Sequence, residues 1–228
     1  EAHPVLWSRV LGARQKNPDM KVICLTTFRH NTAALSDDVI VFKPNTDLAI
    51  LNYLIREIIS RKAVDMDFVE KHCLFAAGVT DIGYGLRDTD QFARESEKDT
   101  LAKQLVNTID KAEAVAQDRR EGESVEQKNR GAGAGKHWAI TFKEFKKGVE
   151  PYTLDFVAEL AKGDPDESLS SFKKRLQALA DLVCAKPRKL LSFWCMGFNQ
   201  HQRGVWANEL CYSMHLLLGK HGLPGSGA

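Results

Sequence analysis

The chain has 228 residues, of which 43% are hydrophobic and 27% charged, and its formal net charge is +2. This composition is typical of a globular protein, and the length allows one or two domains with a core. The small net charge argues against a nucleic-acid partner, and no apolar run approaches the roughly 20 residues of a membrane-spanning helix.

The chain begins with the pattern helix, strand, strand. Pro4 suits the first turn of a helix that carries an apolar stripe, and residues 17–19 end that helix. Residues 21–25 form a short apolar run typical of a buried strand, and residues 39–42 are predicted to form a second strand.

A turn at residues 44–47 follows, and its Asp47 is well placed to cap a helix predicted from about Leu48 to Arg61. Five apolar positions are assigned to the buried face of that helix: Leu51, Leu54, Ile55, Ile58 and Ile59. The order of elements predicts an α/β fold, in which an open, mostly parallel sheet is covered by helices.

In an open parallel sheet, ligands bind beyond the carboxyl ends of the strands. Two sets of candidate binding residues lie there: Thr26, Thr27, Phe28, Arg29 and His30 after the first strand, and Asn45, Thr46 and Asp47 after the second. The structural alternatives are hydrogen bonds from Thr26 and Thr27 to their own backbone, a plain helix cap at Asp47, and a solvated loop at Arg29 and His30.

The middle of the chain changes in character. Residues 67–73 are predicted to form a short helix and residues 80–87 a loop, whose Gly-x-Gly lacks the third glycine of a dinucleotide fingerprint. Residues 88–137 are densely charged and poor in apolar residues, which predicts a solvated, flexible insertion. The glycine-rich run inside it lacks the flanking residues of a phosphate-binding loop.

Three helices are predicted after the insertion, at residues 142–147, 152–162 and 168–184. Residues 189–201 are then typical of a buried strand and a glycine-containing turn, and residues 203–218 of an amphipathic helix. Such turns direct backbone N–H groups outward, where anions bind, although a plain structural crossover is the alternative.

No catalytic constellation is evident in the sequence. There is no Ser-His-Asp pattern, no pair of carboxylates at a defined spacing and no metal-ligand cluster. The five cysteines are widely spaced without a C-x-x-C pair, and their odd number argues against a complete disulfide framework. If the chain takes part in chemistry, we expect it to hold a cofactor that carries the reaction.

The C-terminal turn resembles a known family. Residues 194–201 read WCMGFNQH and residues 203–208 read RGVWAN, and this stretch resembles the catalytic subunits of periplasmic nitrate reductases, which are molybdenum enzymes of the dimethyl-sulfoxide-reductase family. Cys195 and Gln202 replace threonines that are usual there. The resemblance extends over nearly the whole chain except the insertion, through residues 1–9, 26–30, 44–53, 80–87 and 217–220.

The resemblance implies open, mostly parallel sheets with flanking helices, as in the dinucleotide-binding domains of a molybdopterin oxidoreductase. It implies three parts: an α/β dinucleotide-binding segment at 1–87, the insertion at 88–137, and the helices, strand and cofactor-binding turn of the adjoining domain at 138–228. The family binds two molybdopterin guanine dinucleotides around one molybdenum, and a 4Fe-4S cluster. By position, one dinucleotide would be lined by Glu1, Ala2, Thr26, Thr27, Phe28, Arg29, His30, Asn45, Thr46 and Asp47, while Met196 and Gln200 would contact the cofactor near its pterin.

The implied reaction is the reduction of nitrate to nitrite by oxygen-atom transfer at molybdenum in the periplasm. A c-type dihaem cytochrome subunit would donate the electrons, which places the protein in electron transport and nitrate assimilation. The family's cluster cysteines and molybdenum ligand are not in this sequence. The chain is therefore interpreted as an internal fragment that has no catalytic or metal-ligating residue of its own and is inactive alone.

Two other interpretations stay open. Within the same superfamily, the chain could belong to a cytoplasmic assimilatory nitrate reductase or to a formate dehydrogenase. Outside it, the chain could be a non-enzymatic α/β interaction module, which would need no cofactor.

Overall fold

The computed structural model of the chain describes residues 3–78, 137–187, 189–200 and 204–228. Glu1 and Ala2 lie outside these ranges, and so does the loop predicted at residues 80–87. The predicted insertion also lies outside them except for its last residue, so its flexibility stays a prediction.

The first part of the chain alternates helices and strands. Its elements are α1 (Pro4–Lys16), β1 (Ile23–Thr26), α2 (Asn31–Ala34), β2 (Asp38–Val41) and α3 (Asp47–Ser60). β1 and β2 pair in parallel, with Ile23 opposite Asp38 and Thr26 opposite Val41. The predicted α/β fold with a parallel sheet is thus confirmed, and α2 is the one element of this part that the sequence pattern missed.

The rest of the described chain is mostly helical. Its elements are α4 (Met66–His72), β3 (Phe75–Gly78), β4 (His137–Ile140), α5 (Phe142–Val149), α6 (Leu154–Ala161), α7 (Leu169–Cys184), α8 (Met196–Asn199) and α9 (Gly204–Leu217). The predicted helices are confirmed to within about two residues. The antiparallel pair β3–β4 was not predicted. Side chains of Thr141, Thr153 and Ser168 cap α5, α6 and α7, which is why these helices begin where they do.

α3 is the centre of the core. It packs against α5, α6, α7 and α9, and all five apolar positions assigned to its buried face are buried. Because neighbours surround it, further residues such as Ile50 and Tyr53 are buried as well. Among the described residues, no helix is both long enough and apolar enough to cross a membrane.

The apolar stripe of α1 is only partly covered. The helix forms as predicted, with Pro4 in its first turn, but none of its residues is buried. Its Val5 is 69% exposed. The prediction that β1 is buried was also wrong, because the sheet has two strands in the described chain and Leu25 stays 40% exposed.

The sequence predicted that Asp47 caps α3, and this prediction was wrong. The helix already includes Asp47, and the cap position belongs to Thr46, whose side chain makes no capping hydrogen bond. The Thr46 hydroxyl instead donates to the Lys43 carbonyl at 2.6 Å. The helix begins one residue earlier than predicted, so Asp47 is an acidic residue of its first turn.

The prediction of a buried strand at the start of residues 189–201 was wrong. Leu191 makes a single parallel bridge with Gly227, and Leu191 and Phe193 are 50% and 58% exposed. A strand needs continuous pairing to a neighbour, and the described chain offers this segment only residues near Gly227. The glycine-containing turn and the following helix are confirmed as α8 and α9.

Candidate functional site

The two predicted sets of binding residues meet at one edge of the sheet. β1 and β2 are parallel neighbours in register, so they end side by side, and the Phe42 N–H donates to the Thr26 carbonyl at 2.9 Å. We call residues 26–30 and 45–47, which follow these strand ends, the carboxyl-edge loops. Their position is the one where open α/β sheets bind ligands.

Two threonines shape these loops from within. Thr26 and Thr46 are buried, and their hydroxyls donate to backbone carbonyls of Phe28 (2.7 Å) and Lys43 (2.6 Å). The structural alternative of a threonine that bonds its own backbone therefore holds for Thr26, and Thr46 makes a bond of the same kind. Their hydroxyl protons are already used, so a direct contact of either residue with a cofactor stays a prediction.

The second carboxyl-edge loop presents a carboxylate at a helix start. Asn45 adopts the left-handed conformation with φ 65°, which asparagine tolerates better than most residues and which turns the chain into α3. Asp47 is 7% exposed, and its Oδ1 accepts the Leu48 N–H at 3.0 Å. A carboxylate held here accepts hydrogen bonds, which suits the paired N–H groups of a guanine edge.

The first carboxyl-edge loop offers exposed groups of three kinds. Thr27 supplies a hydroxyl, the Phe28 ring is 66% exposed, and the Arg29 side chain is 62% exposed. The His30 ring lies edge-on to Phe28 with centroids 5.5 Å apart, and its Nε2 lies 4.0 Å from Cys24 Sγ. This combination suits a ligand that carries an aromatic base and phosphates.

A segment distant in sequence borders these loops. Arg29 forms an ion pair with Asp164 at 3.3 Å, and the N–H of Asp166 together with Arg29 holds the pKa of the Asp164 carboxyl below its usual range. Gly163 lies so close to β2 that a Cβ atom there would collide with the main chain of Phe42 and Lys43. The sequence pattern treated these residues only as the end of a helix and missed this role.

Met196 and Gln200 lie on another element. Residues 196–200, the Met196 turn, comprise α8 and its C-terminal residue Gln200, whose N–H donates to the Met196 carbonyl at 2.8 Å. Met196 is 58% exposed and Gln200 is also exposed. Cys195 Sγ lies 3.7 Å from His3 Nε2. His3, which directly follows Ala2 in sequence, thus lies beside the residue that precedes Met196.

The donor groups of the carboxyl-edge loops can be compared with those that a nucleotide or a metal ion needs. Among the residues that the structure describes, no three His, Cys, Asp or Glu side chains are grouped so that they could hold a metal ion. All five cysteines are free thiols. The carboxylate, guanidinium and aromatic groups of the carboxyl-edge loops fit the guanine nucleotide part of a molybdopterin guanine dinucleotide.

A surface cavity lies away from these residues. It has a volume of about 370 Å³ and is lined by Leu11, Arg14, Gln15, Pro18 and Asp37. Asp37 directly precedes β2, so the cavity lies at the amino end of the sheet, opposite the carboxyl-edge loops. We therefore do not assign it to the candidate site.

Comparison with a solved structure defines the class of protein by fold. The acetylene hydratase from Pelobacter acetylenicus is similar to this chain with a TM-score of 0.55 and 17% sequence identity, over 97% of this chain and 20% of that one. At this identity the likeness concerns the fold alone. The chain is thus an α/β protein with its candidate site at the carboxyl edge of parallel strands, and its fold recurs within a larger protein.

Comparison with curated sequences gives the family. The periplasmic nitrate reductase of Campylobacter fetus subsp. fetus (strain 82-40) is 49% identical over 236 residues, which cover all of this chain and 25% of that protein. No family model matches the chain. The chain belongs to the periplasmic nitrate reductase family, and it spans about a quarter of the length of the curated relative it matches.

Proposed function

We propose that this chain supplies part of the binding surface for molybdopterin guanine dinucleotide in a periplasmic enzyme that reduces nitrate to nitrite. The observation that carries the proposal is the 49% identity over the whole chain to a protein named periplasmic nitrate reductase. That name also favours this function over an assimilatory nitrate reductase, a formate dehydrogenase or an interaction module.

Within the proposed site, the carboxyl-edge loops bind the guanine nucleotide. Asp47 accepts N–H donors of the base, Arg29 faces the phosphates, and the exposed ring of Phe28 packs on the ligand. Thr26 and Thr46 hold the loops in shape through their bonds to the main chain. The remaining residues assigned to this part are Glu1, Ala2, Thr27, His30 and Asn45.

The Met196 turn serves the other end of the cofactor. Met196 and Gln200 are exposed there and contact it near the pterin. When bound, the cofactor would supply the molybdenum chemistry by which nitrate, two electrons and two protons give nitrite and water. The electrons would come from a c-type dihaem cytochrome by way of a 4Fe-4S cluster, whose ligands are proposed to lie outside this chain.

Asp47 provides the test of this proposal. Asp47→Asn keeps an acceptor for the Leu48 N–H but replaces one carboxylate oxygen with an NH2 group, which opposes the guanine donors. Losing a charged acceptor costs about 1.5–3 kcal/mol of binding free energy, or roughly 10- to 150-fold in affinity. We expect molybdenum and guanine nucleotide per chain to fall in the intact subunit that carries this variant.

Asp67→Asn is the matched control, because Asp67 is an exposed acidic residue in the first turn of α4. Both changes remove one charge from a helix start, which costs about 0.3–1 kcal/mol of stability. The melting temperatures of the two apo variants should therefore be similar, while only Asp47→Asn loses cofactor. Full loading of Asp47→Asn, or a wild-type subunit without the dinucleotide, would contradict the proposal.

A further inference from the structure

The side-chain amide of Asn208 connects α9 to the Met196 turn at several points. Its Oδ1 accepts the Trp194 Nε1–H at 2.6 Å, and its Nδ2 donates to Asn199 Oδ1 at 2.9 Å and to the Gly204 carbonyl at 2.6 Å. The residues bonded lie before the turn, within it and at the start of the next helix. One planar group thus joins all three parts.

The orientation of this amide follows from its partners. The indole N–H of Trp194 can only donate, so the Asn208 oxygen must face it, and the Gly204 carbonyl can only accept, so the Asn208 nitrogen must face that. Aspartate would lack the donors and an apolar side chain would lack both functions. Asparagine is therefore the short side chain that satisfies all three partners at once.

The backbone around Asn208 is equally tight. A Cβ atom on Gly204 would collide with the Asn199 carbonyl, so α8 and α9 approach each other closely only because residue 204 is glycine. Trp194 also packs its ring against Phe198 and Tyr212, each with centroids 5.6 Å apart. Rotation of the turn away from α9 would break these contacts together with the Asn208 hydrogen bonds.

A further hydrogen bond extends the attachment along α9. Ser192 Oγ and His215 Nε2 lie 2.8 Å apart, which joins the segment before Trp194 to the same helix two turns beyond Asn208. Residues 204, 208 and 215 are spaced by four and seven, so they lie along one face of α9. The segment that leads into the Met196 turn is therefore laid along this face.

We propose that Asn208 is a positioning residue for the Met196 turn, holding Met196 and Gln200 in the direction needed to contact the pterin side of the cofactor. This inference rests on the proposed function. Asn208 acts through its bonds to the turn and its flanks, so its effect is on cofactor retention and on the order of the turn. The exposed α8 has one turn of helix, which is too short to hold its own conformation without such partners.

The test uses the intact subunit carrying Asn208→Ala. We expect molybdenum and guanine nucleotide per chain to fall at least about threefold, since the turn samples orientations that do not bind. We also expect amide hydrogen exchange at residues 198–200 to become faster in the apo-subunit, a readout that needs no cofactor. Trp194→Phe, which keeps an aromatic ring at this position and removes the N–H, should give a smaller effect in the same direction.

Two controls separate positioning from general destabilisation. Asn17→Ala removes the same kind of bond, from an asparagine amide to the carbonyl four residues before it, at 2.8 Å in α1. Ile58→Val lowers stability in the core of α3 without touching the turn. Both controls should retain full cofactor loading and leave exchange at residues 198–200 unchanged.

Each outcome decides between the two proposals. Full loading of Asn208→Ala beside a loaded wild type overturns the role of Asn208 and leaves the proposed function standing. The role of Asn208 is also overturned if Ile58→Val has the same melting temperature as Asn208→Ala and loses as much cofactor. If Asn208→Ala does not fold, the milder Trp194→Phe takes its place, and unchanged loading and exchange in that variant overturn the inference. A wild-type subunit without the dinucleotide overturns the proposed function itself.

Discussion

α1 and α3 have nearly the same length and opposite surroundings. α1 has 13 residues and buries none of them, whereas α3 has 14 residues and buries 11. Both were predicted from apolar residues at helical spacing. The comparison shows that this spacing identifies a helix, while the number of neighbours around the helix decides how much its side chains stabilise the fold.

The two helices are also attached in different ways. α3 packs its apolar side chains against four other helices. α1 is joined to the segment before β2 through Arg14, whose guanidinium donates to the Leu35 carbonyl and to Asp37 Oδ1, each at 2.7 Å. Apolar burial around α3 contributes far more free energy than a partly exposed ion pair. We therefore expect substitutions to have unequal effects in the two regions.

The largest difference is expected from truncating one apolar side chain in each helix. Ile55 is fully buried in α3, so Ile55→Ala should lower the free energy of unfolding by about 2–5 kcal/mol. Val5 in α1 is 69% exposed, so Val5→Ala should change it by less than about 0.5 kcal/mol. Urea unfolding of the two variants checks this, and similar losses would show that α1 is covered by apolar neighbours.

The next effect concerns pH and the helix that packs on α3. His215 in α9 is fully buried, and burial, with smaller contributions from Lys220 and His221, lowers its pKa to about 4. Its pKa in the unfolded chain is about 6.5, so the unfolded state binds the proton first as the pH falls. The contribution of His215 therefore leaves the free energy of unfolding undiminished above pH 6.5 and should lower it by on the order of 3 kcal/mol by pH 4.

His215→Gln isolates this contribution, since glutamine has no titratable group and can still bond Ser192. The difference in unfolding free energy between the variant and the native protein should shrink or change sign from pH 7 to pH 4. Carboxylates that titrate in this range affect both proteins alike. Parallel stability curves for the two proteins would contradict the role of His215.

The smallest effects are expected at two glycines, one beside the core and one in α1. A Cβ atom at Gly163 would meet the main chain of Phe42 and Lys43, which cannot move aside, so Gly163→Ala should cost about 1–3 kcal/mol. Gly12 has no atom within 4 Å of such a Cβ, so Gly12→Ala should stabilise α1 by about 0.5–1 kcal/mol. Thermal melting of both variants measures the opposite signs, and a loss at Gly12 would indicate a partner packed on α1.

Local sequence determined most of the helices and the parallel strand pair. Helix spacing, the capping residues Thr141 and Ser168 and the apolar run of α3 act within a few residues, so they could be recognised without a tertiary structure. The two sets of residues in the carboxyl-edge loops were likewise predictable, because chain order and parallel pairing place both at one edge. The family resemblance was also carried by local runs such as residues 194–201.

Tertiary structure decided which predicted surfaces are buried and what holds the candidate site. The stripe of α1 and the run at 189–195 are apolar in sequence, yet neither has a buried residue, because few described neighbours cover them. Arg29 meets Asp164, and His3 meets Cys195, across 135 and 192 residues of chain. Contacts of this kind leave no periodic pattern, because each depends on how whole elements pack and not on the residues beside it in sequence.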